Sequence, residues 1–233
     1  MISSKITLYG HITYDNIFNG KETVYSVGSI GNVWKALLSL SEKNNVHIEP
    51  TEIGEALILV DENKSKRSST ACLSLKSRIP NIPNSDWSHI LYLNELRDLS
   101  FIKEVRKKSN VISADICAGK KLKDTSILKE IDYLFISDED MWLDNIEDLA
   151  KLVGGWVILH YSGGSICYNK NLKTKFKIEI TKTLKNINIL GAGDIFAASV
   201  ITNILQLQES PIEDIINSSH NDTYNLLKLY NEQ

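Results

Sequence analysis

The chain has 233 residues, 42% of them hydrophobic and 24% charged, which is ordinary for one sizeable α/β domain. A net charge of -3 with scattered Lys and Arg argues against nucleic acid as the main partner, because binding to backbone phosphates needs a basic face. No apolar run approaches the roughly 18 residues of a membrane span, and "MISSKITLYGH" lacks the apolar core of a signal peptide, so a cytoplasmic protein without a membrane partner is expected.

In chain order, "KITLYG" (Lys5–Gly10) predicts a buried strand ending at its glycine. "TYDNIFNGKETVYSVGS" carries two short β-like runs around the turn signal Asn19-Gly20. "GNVWKALLSLSEK" places Val33, Trp34, Leu37, Leu38 and Leu40 near helical spacing. "ALILVDENKSKRSSTACLSL" predicts a hairpin with "DENKSKR" as its loop, and "SHILYLN" and "NVISAD" predict short strands around the helix-like "DLSFIKEVRKKS". "IDYLFIS" is a further strand, and "WVILHYSGGSICYN" reads as strand, Gly-Gly turn, strand. "GAGDIFAASVITNILQL" predicts a helix, and "SPIEDIINSSHNDTYNLLKLY" at least one more, with Ser210 as N-cap and Pro211 at the first helical position.

The alternation of strand and helix in the middle implies a mostly parallel sheet with helices on both faces. The early β-rich segments break that alternation and are expected to form a small sheet outside the main one. Cys72, Cys117 and Cys167 lie far apart with no C-x-x-C, which predicts thiols packed in the core. Tyr9, Trp34, Trp142 and Trp156 are expected in the core, and His11 and His160, each ending an apolar strand, as half-buried hydrogen-bonding side chains.

One stretch asks for chemistry. In "NILGAGDIFAASV" an acid stands directly after Gly-Ala-Gly at a helix start. Unpaired N–H groups and a positive dipole end make such a place an anion hole, and glycines let a phosphate come close to the backbone. Gly191, Ala192 and Gly193 would form the hole, and Asp194 at its mouth would take a proton from an attacking hydroxyl. The competing account is that Asp194 is only a helix cap.

The rest of the chain carries a resemblance. "NILGAGDIF" is similar to the D-T-x-G-A-G-D-x-F signature of the ribokinase (PfkB-type) carbohydrate kinases, and "VGSIGN" (27–32) to their G-G-x-x-x-N. "LYGHITYDNI" resembles the family's first strand and its substrate-binding aspartate, "NVISADICAGKKL" a strand ending in aspartate, and "HYSGGSICYN" a Gly-x-x-Gly turn near the nucleotide. These matches span nearly the whole chain in the right order, as in a short member of that family.

The resemblance implies a single domain over 1–233, a ribokinase-like three-layer α/β/α sandwich with a mostly parallel central sheet. A small β lid would come from about 14–26 and 56–75. It implies ATP-dependent phosphorylation of a hydroxyl on a sugar or related polyol, with Mg²⁺. Asp194 would be the base, and Gly191, Ala192 and Gly193 would hold the phosphates. Asp15, Gly28, Asn32 and His11 would bind substrate hydroxyls, which need acceptors and amide partners. Asp115, Gly163, Gly164 and Asn188 would line the nucleotide.

Departures are visible. Asn188 stands where the family has aspartate and Ile189 where it has threonine, so a monovalent-cation site is not expected. In place of N-x-x-E there is "SDED", where Asp140 would organise Mg²⁺ through water, or Ser137 would merely cap a helix. Val27 replaces a glycine and narrows the substrate site, and a strand-helix unit after Leu40 is missing. Two other functions stay open: a non-catalytic nucleotide- or sugar-binding protein on the same fold, and a vitamin or pyrimidine kinase on a related one. The intact "GAGD" favours an active enzyme, since a protein without catalysis has little physical need of the base. A homodimer through the lid strands is expected, with some of Ile17, Val24, Ile58 and Val60 on the paired face.

Overall fold

A computed structural model describes residues 3–18, 23–60, 67–73, 78–116, 121–138, 145–181, 184 and 190–232. Among these, the elements run β1 (Ser4–Phe18), β2 (Thr23–Ser26), α1 (Gly28–Leu40), β3 (Asn44–Val60), β4 (Arg67–Leu73), β5 (Ser85–Ile90), α2 (Ile102–Lys108), β6 (Ser109–Ile116), β7 (Tyr133–Ser137), α3 (Ile146–Ala150), β8 (Trp156–Tyr161), β9 (Gly164–Asn169), β10 (Thr174–Glu179), α4 (Ala192–Gln206) and α5 (Ile212–Asn231). A 3-10 turn, Thr125–Glu130, links β6 to β7. None of the described helices is long and apolar enough to cross a membrane.

Nine strands follow the order β10-β9-β8-β7-β6-β5-β1-β3-β4, and β2 pairs with β1 off that path. Strands β3, β1, β5, β6, β7 and β8 are mutually parallel; β2, β4, β9 and β10 add on antiparallel. Helices cover both faces. Ile30, Val33 and Leu37 of α1 and Ile195, Ala198 and Ile201 of α4 pack with Ile6, Leu8 and Trp87. Opposite them, Ile102 and Val105 of α2, Leu128 of the 3-10 turn and Leu149 of α3 pack with Ile112, Leu134 and Val157. The result is the three-layer sandwich with a mostly parallel sheet that the sequence implies. Residues Ile195–Asn203 of α4 are all buried, because α1 and α5 flank a helix that already lies on the sheet.

The early strands differ from expectation. They form no sheet of their own. β1 does not end at Gly10 but runs on to Phe18, still parallel to β3, and β2 and β4 pair only with the outer halves of these two strands. A bulge marks the joint: Gly10 faces Pro50, His11 faces Glu52, and Thr51 is the extra residue. At Gly10 the chain packs against Leu91, where a Cβ would lie 3.1 Å from the Leu91 side chain; that close packing, rather than a strand end, explains the glycine. The strand after Leu40 is present as the inner half of β3.

Smaller corrections follow the same logic. Trp34 and Leu38 are 42% and 40% exposed, on the outer edge of the α1 stripe, while Tyr9 and Trp156 are buried; Trp142 lies outside the described residues. Helix α5 starts one residue later than expected: Pro211 is its N-cap, its carbonyl taking the Ile215 N–H at 3.1 Å. Asn145 caps α3, its side chain accepting from Asp148 N–H at 2.9 Å; the acids that Ser137 was expected to precede as a helix cap lie largely outside the described residues. Cys167 is a buried free thiol, its pKa pushed up to about 12 by burial; the side chains of Cys72 and Cys117 lie outside the described residues.

The β8–β9 turn is held against β10. Gly164 has φ +142°, and a Cβ there would lie 2.0 Å from the Ile178 carbonyl oxygen, while Ile180 N–H donates to Gly163 O at 3.0 Å. Gly164→Ala is therefore expected to cost at least about 2 kcal/mol and lower the melting temperature by about 5 °C or more. Thermal unfolding followed by circular dichroism checks this, and an unchanged midpoint would contradict the close backbone approach.

Candidate active site

Two helix starts meet above the carboxyl ends of the parallel strands, the usual ligand position of an open α/β sheet. Helix α4 begins at Gly191, whose φ of +81° is left-handed; its carbonyl accepts the Ile195 N–H at 2.9 Å. Gly191 is thus the N-cap and makes no side-chain cap bond. Asp194 sits in the first turn and is not the cap. Its Oδ2 accepts a hydrogen bond from Asn32 Nδ2 of α1 at 2.8 Å. A Cβ at Gly191 would lie 2.6 Å from the same Asn32 nitrogen, so no larger residue fits between these partners. The orphan N–H groups of Ala192, Gly193 and Asp194 belong to this turn and offer the donors of an anion hole.

Helix α1 begins beside the joint of the lid. Gly28 has φ +51°, and a Cβ there would meet Thr13 Oγ1 at 2.4 Å. Thr13 in turn hydrogen-bonds Asp15, two residues along the same face of β1. Asp15 is 7% exposed, and its Oδ1 has no hydrogen-bond partner. Burial raises its pKa, and the Thr13 bond opposes the rise. A buried carboxylate oxygen without a donor suits a ligand hydroxyl.

His11, buried, stacks flat on Tyr92, with ring centroids 4.5 Å apart and planes 5° apart. Tyr92 was not foreseen from sequence. Its φ of +55° is rare for a bulky residue, and Asp115 explains it: Asp115 Oδ1 accepts the Tyr92 N–H at 2.5 Å. The Tyr92 hydroxyl shares a short hydrogen bond with Ser29 Oγ at the start of α1. Asp115 therefore stands at the end of β6 on the side of His11 and Ser29, with β7 and β8 between it and the Gly163-Gly164 turn. The structure brings Gly191, Ala192, Gly193, Asp194 and Asn32 together, and gathers Asp15, Gly28 and His11 around the lid joint. Asn188 and Asp140 lie outside the described residues.

A set of neutral imidazoles supports α4 from below. A Cβ at Gly193 would lie 3.0 Å from His160 Cε1, and His160 packs on Phe196 at 5.8 Å. His220 of α5 stacks on Phe196 at 4.4 Å and pairs its Nε2 with Ser165 Oγ at 2.9 Å. Burial drives the pKa of His160 down to about 4, against the pull of Asp138 and with a further push from His220; burial alone takes His220 to about 4. His89, wholly buried, falls to about 3, and its Nδ1 pairs with Ser113 Oγ at 2.8 Å. The lone "H" in "SSHNDT" gave no sequence signal for this role, because only the packing of α5 on α4 sets it on Phe196.

No protein-family model matches the chain, and no curated protein matches it in sequence. Solved structures do match. Arabidopsis thaliana ribokinase complexed with ribose and ATP shares 14% identity at a TM-score of 0.66, with 94% of this chain and 90% of that one covered. Ribokinase from Giardia lamblia shares 15% at 0.66, covering 93% and 89%. A pyrophosphate-dependent kinase in the ribokinase family, solved as a sulfate complex, shares 14% at 0.64, covering 91% of each chain. The fold of this chain is ribokinase-like.

The three depressed histidines make a pH prediction. Each is protonated in the unfolded chain below its ordinary 6.5 but stays neutral in the fold, so the stability tied to the neutral ring is complete above about pH 6.5. It is lost as pH falls toward 4 for His160 and His220 and toward 3 for His89. Unfolding free energy from urea titrations should fall between pH 6 and 4.5 by up to about 1.4 kcal/mol per pH unit for each histidine. His220→Gln should flatten the curve by one proton, and equal slopes in both proteins would refute the burial of His220.

Proposed function

We propose that the chain is an ATP-dependent kinase that phosphorylates a hydroxyl of a sugar or related polyol. The hydrogen bond from Asn32 to Asp194 carries this reading, because it ties the two motif-bearing helix starts into one unit and aims an acid beside an anion hole. The fold supports it through its neighbours: ribokinase complexed with ribose and ATP, a ribokinase-family kinase complexed with a pyrophosphate analog and myo-inositol, and an acarbose kinase.

In this reading the Asp15 carboxylate, the backbone at Gly28 and the amide of Asn32 hold substrate hydroxyls, with His11 beside them. Asn32, donating to Oδ2, fixes the rotamer of Asp194 so that its other oxygen faces the reacting hydroxyl. Asp194 takes the hydroxyl proton while the hydroxyl oxygen bonds to the γ-phosphorus of ATP and the bond to the β–γ bridging oxygen breaks, with ADP as leaving group. The N–H groups at Gly191, Ala192 and Gly193 stabilise the charge on the transferring phosphoryl group. The left-handed Gly191, whose Cβ would fill the cradle, fits that role. Asp115, expected at the nucleotide, is read here as positioning Tyr92 at the substrate end through its N–H, while Gly163 and Gly164 would line the nucleotide end. Mg²⁺ would arrive with the nucleotide near Asp140; among the described residues no three His, Cys, Asp or Glu side chains converge on a metal site.

The test is an ATP-consumption screen over sugars, polyols and nucleosides, with a parallel arm using pyrophosphate as donor. On the substrate found, Asp194→Asn should lower turnover about 10²–10⁴-fold while ATP still binds. A variant with near wild-type turnover would sink the assignment of the base.

We propose further that two copies pair through the lid. The expected face needs correction: Ile17 and Ile58 are only 7% and 8% exposed, because they share the inner face with Asp15. Strand alternation puts Tyr14, Phe18, Tyr25, Ile53, Leu57 and Leu59 outside, each at least 43% exposed. That outer face, apolar apart from Asn16 and Glu55, is suited to a second copy. Light scattering should give twice the 26.2 kDa of one chain, and Leu57→Glu should return a monomer. A wild-type protein that stays monomeric at high micromolar concentration would count against pairing.

A further inference from the structure

The first turn of α4 rests on an imidazole. The three atoms nearest to a Cβ built at Gly193 all belong to the His160 ring: Cε1 at 3.0 Å, Nε2 at 3.4 Å and Nδ1 at 3.9 Å. The Cε1–Nε2 edge is therefore the part of the ring turned toward Gly193. A side chain at 193 would push the ring away, so the second glycine of the turn keeps backbone and imidazole together. His160 stands at the carboxyl end of β8, between Ser137 of β7 and Ser165 of β9. Phe196, one turn further along α4, braces the ring at a centroid distance of 5.8 Å.

An aliphatic side chain would pack there as well, so the polar atoms of the ring call for another account. Among the described residues no hydrogen bond engages either ring nitrogen of His160. Unlike His89 Nε2, which is sealed from solvent, both remain accessible on a half-buried side chain. Burial keeps the ring neutral, so one nitrogen carries a hydrogen to donate. Nε2 is close enough to the Gly193 N–H for a single phosphate group to engage both. We propose, on the reading of Gly191–Asp194 as a phosphate cradle, that His160 completes that cradle: its Nε2–H donates to an oxygen of the phosphoryl donor's phosphate chain, beside the N–H of Gly193. His160 is then a phosphate-binding residue as well as a support for α4.

Titration of the full chain with sodium tripolyphosphate, without metal ions, tests this. The probe carries the phosphate chain of ATP without its base, and no acceptor substrate is needed. In the isotope-labelled wild type, the His160 ring nitrogen signals should move together with the backbone amides of Gly191 and Gly193, while those of His47 on β3 stay in place. His160→Leu should weaken tripolyphosphate binding at least about tenfold, as for a lost hydrogen bond to a charged group, and His160→Gln, which keeps an N–H, should stay within about threefold of wild type. A purely structural role would move neither the ring signals nor separate these two variants. The wild-type signals keep the test decisive if the leucine variant does not fold. Glycine amides that move while the His160 ring stays still, or equal affinity in the leucine variant, would overturn the proposal and leave the cradle standing. No movement at either place would overturn both.

Discussion

The site depends on one contact between two helices, the hydrogen bond from Asn32 to Asp194 with Gly191 beneath it. The contact requires a left-handed residue without a Cβ at the start of α4 and an amide one turn into α1. It also requires that both helices lie on the same face of the sheet, which their shared packing with Ile6, Leu8 and Trp87 ensures. A helix start needs something to satisfy its N–H groups, and here Asn32 of α1 and His160 of β8 are its neighbours. A helix that is buried all round cannot shift easily to relieve strain, so the acid in its first turn is held rigidly.

The lid follows from the same economy of parts. β1 and β3 run from the central sheet into the outer strands, and the bulge at Thr51 marks the one register shift along that pair. Alternation along β1 then divides the work between faces: Thr13 and Asp15 point inward, Tyr14 and Phe18 outward. An inward acid at low exposure is costly unless a partner arrives, while an outward apolar face is costly unless it is covered. The two costs face opposite directions, one toward Thr13 and Gly28 and the other toward solvent.

Beneath α4 the chain uses aromatic and imidazole rings where aliphatic packing would serve stability alone. His160 lies against Gly193, and Phe196 carries His220. Kept neutral by burial, these rings add no positive charge of their own next to the first turn of α4 at ordinary pH. They also make the region under the first turn of α4 sensitive to acid, unlike a wholly apolar support.

Much of the fold was legible in the sequence. Short apolar runs located the central strands, Gly163-Gly164 the β8–β9 turn, and longer apolar patterns helices α1, α2, α4 and α5. "GAGD" pointed to an anion hole because glycine and a short acid at a helix start have few other uses. What periodicity could not reveal was pairing across distance. That β1 continues past Gly10, that Ile17 faces inward and Leu57 outward, and that His220 meets Phe196 all depend on which strands and helices become neighbours. Tyr92 shows the limit most clearly. Its backbone is left-handed because Asp115, 23 residues away, accepts its N–H, and its ring has a place only because His11 and Ser29 are brought to it. Local chemistry determined the elements and the reactive turn; the register of the long strands and the packing of α1 and α5 on α4 decided which side chains meet there, since side-chain contacts between distant segments exist only once the sheet has been assembled.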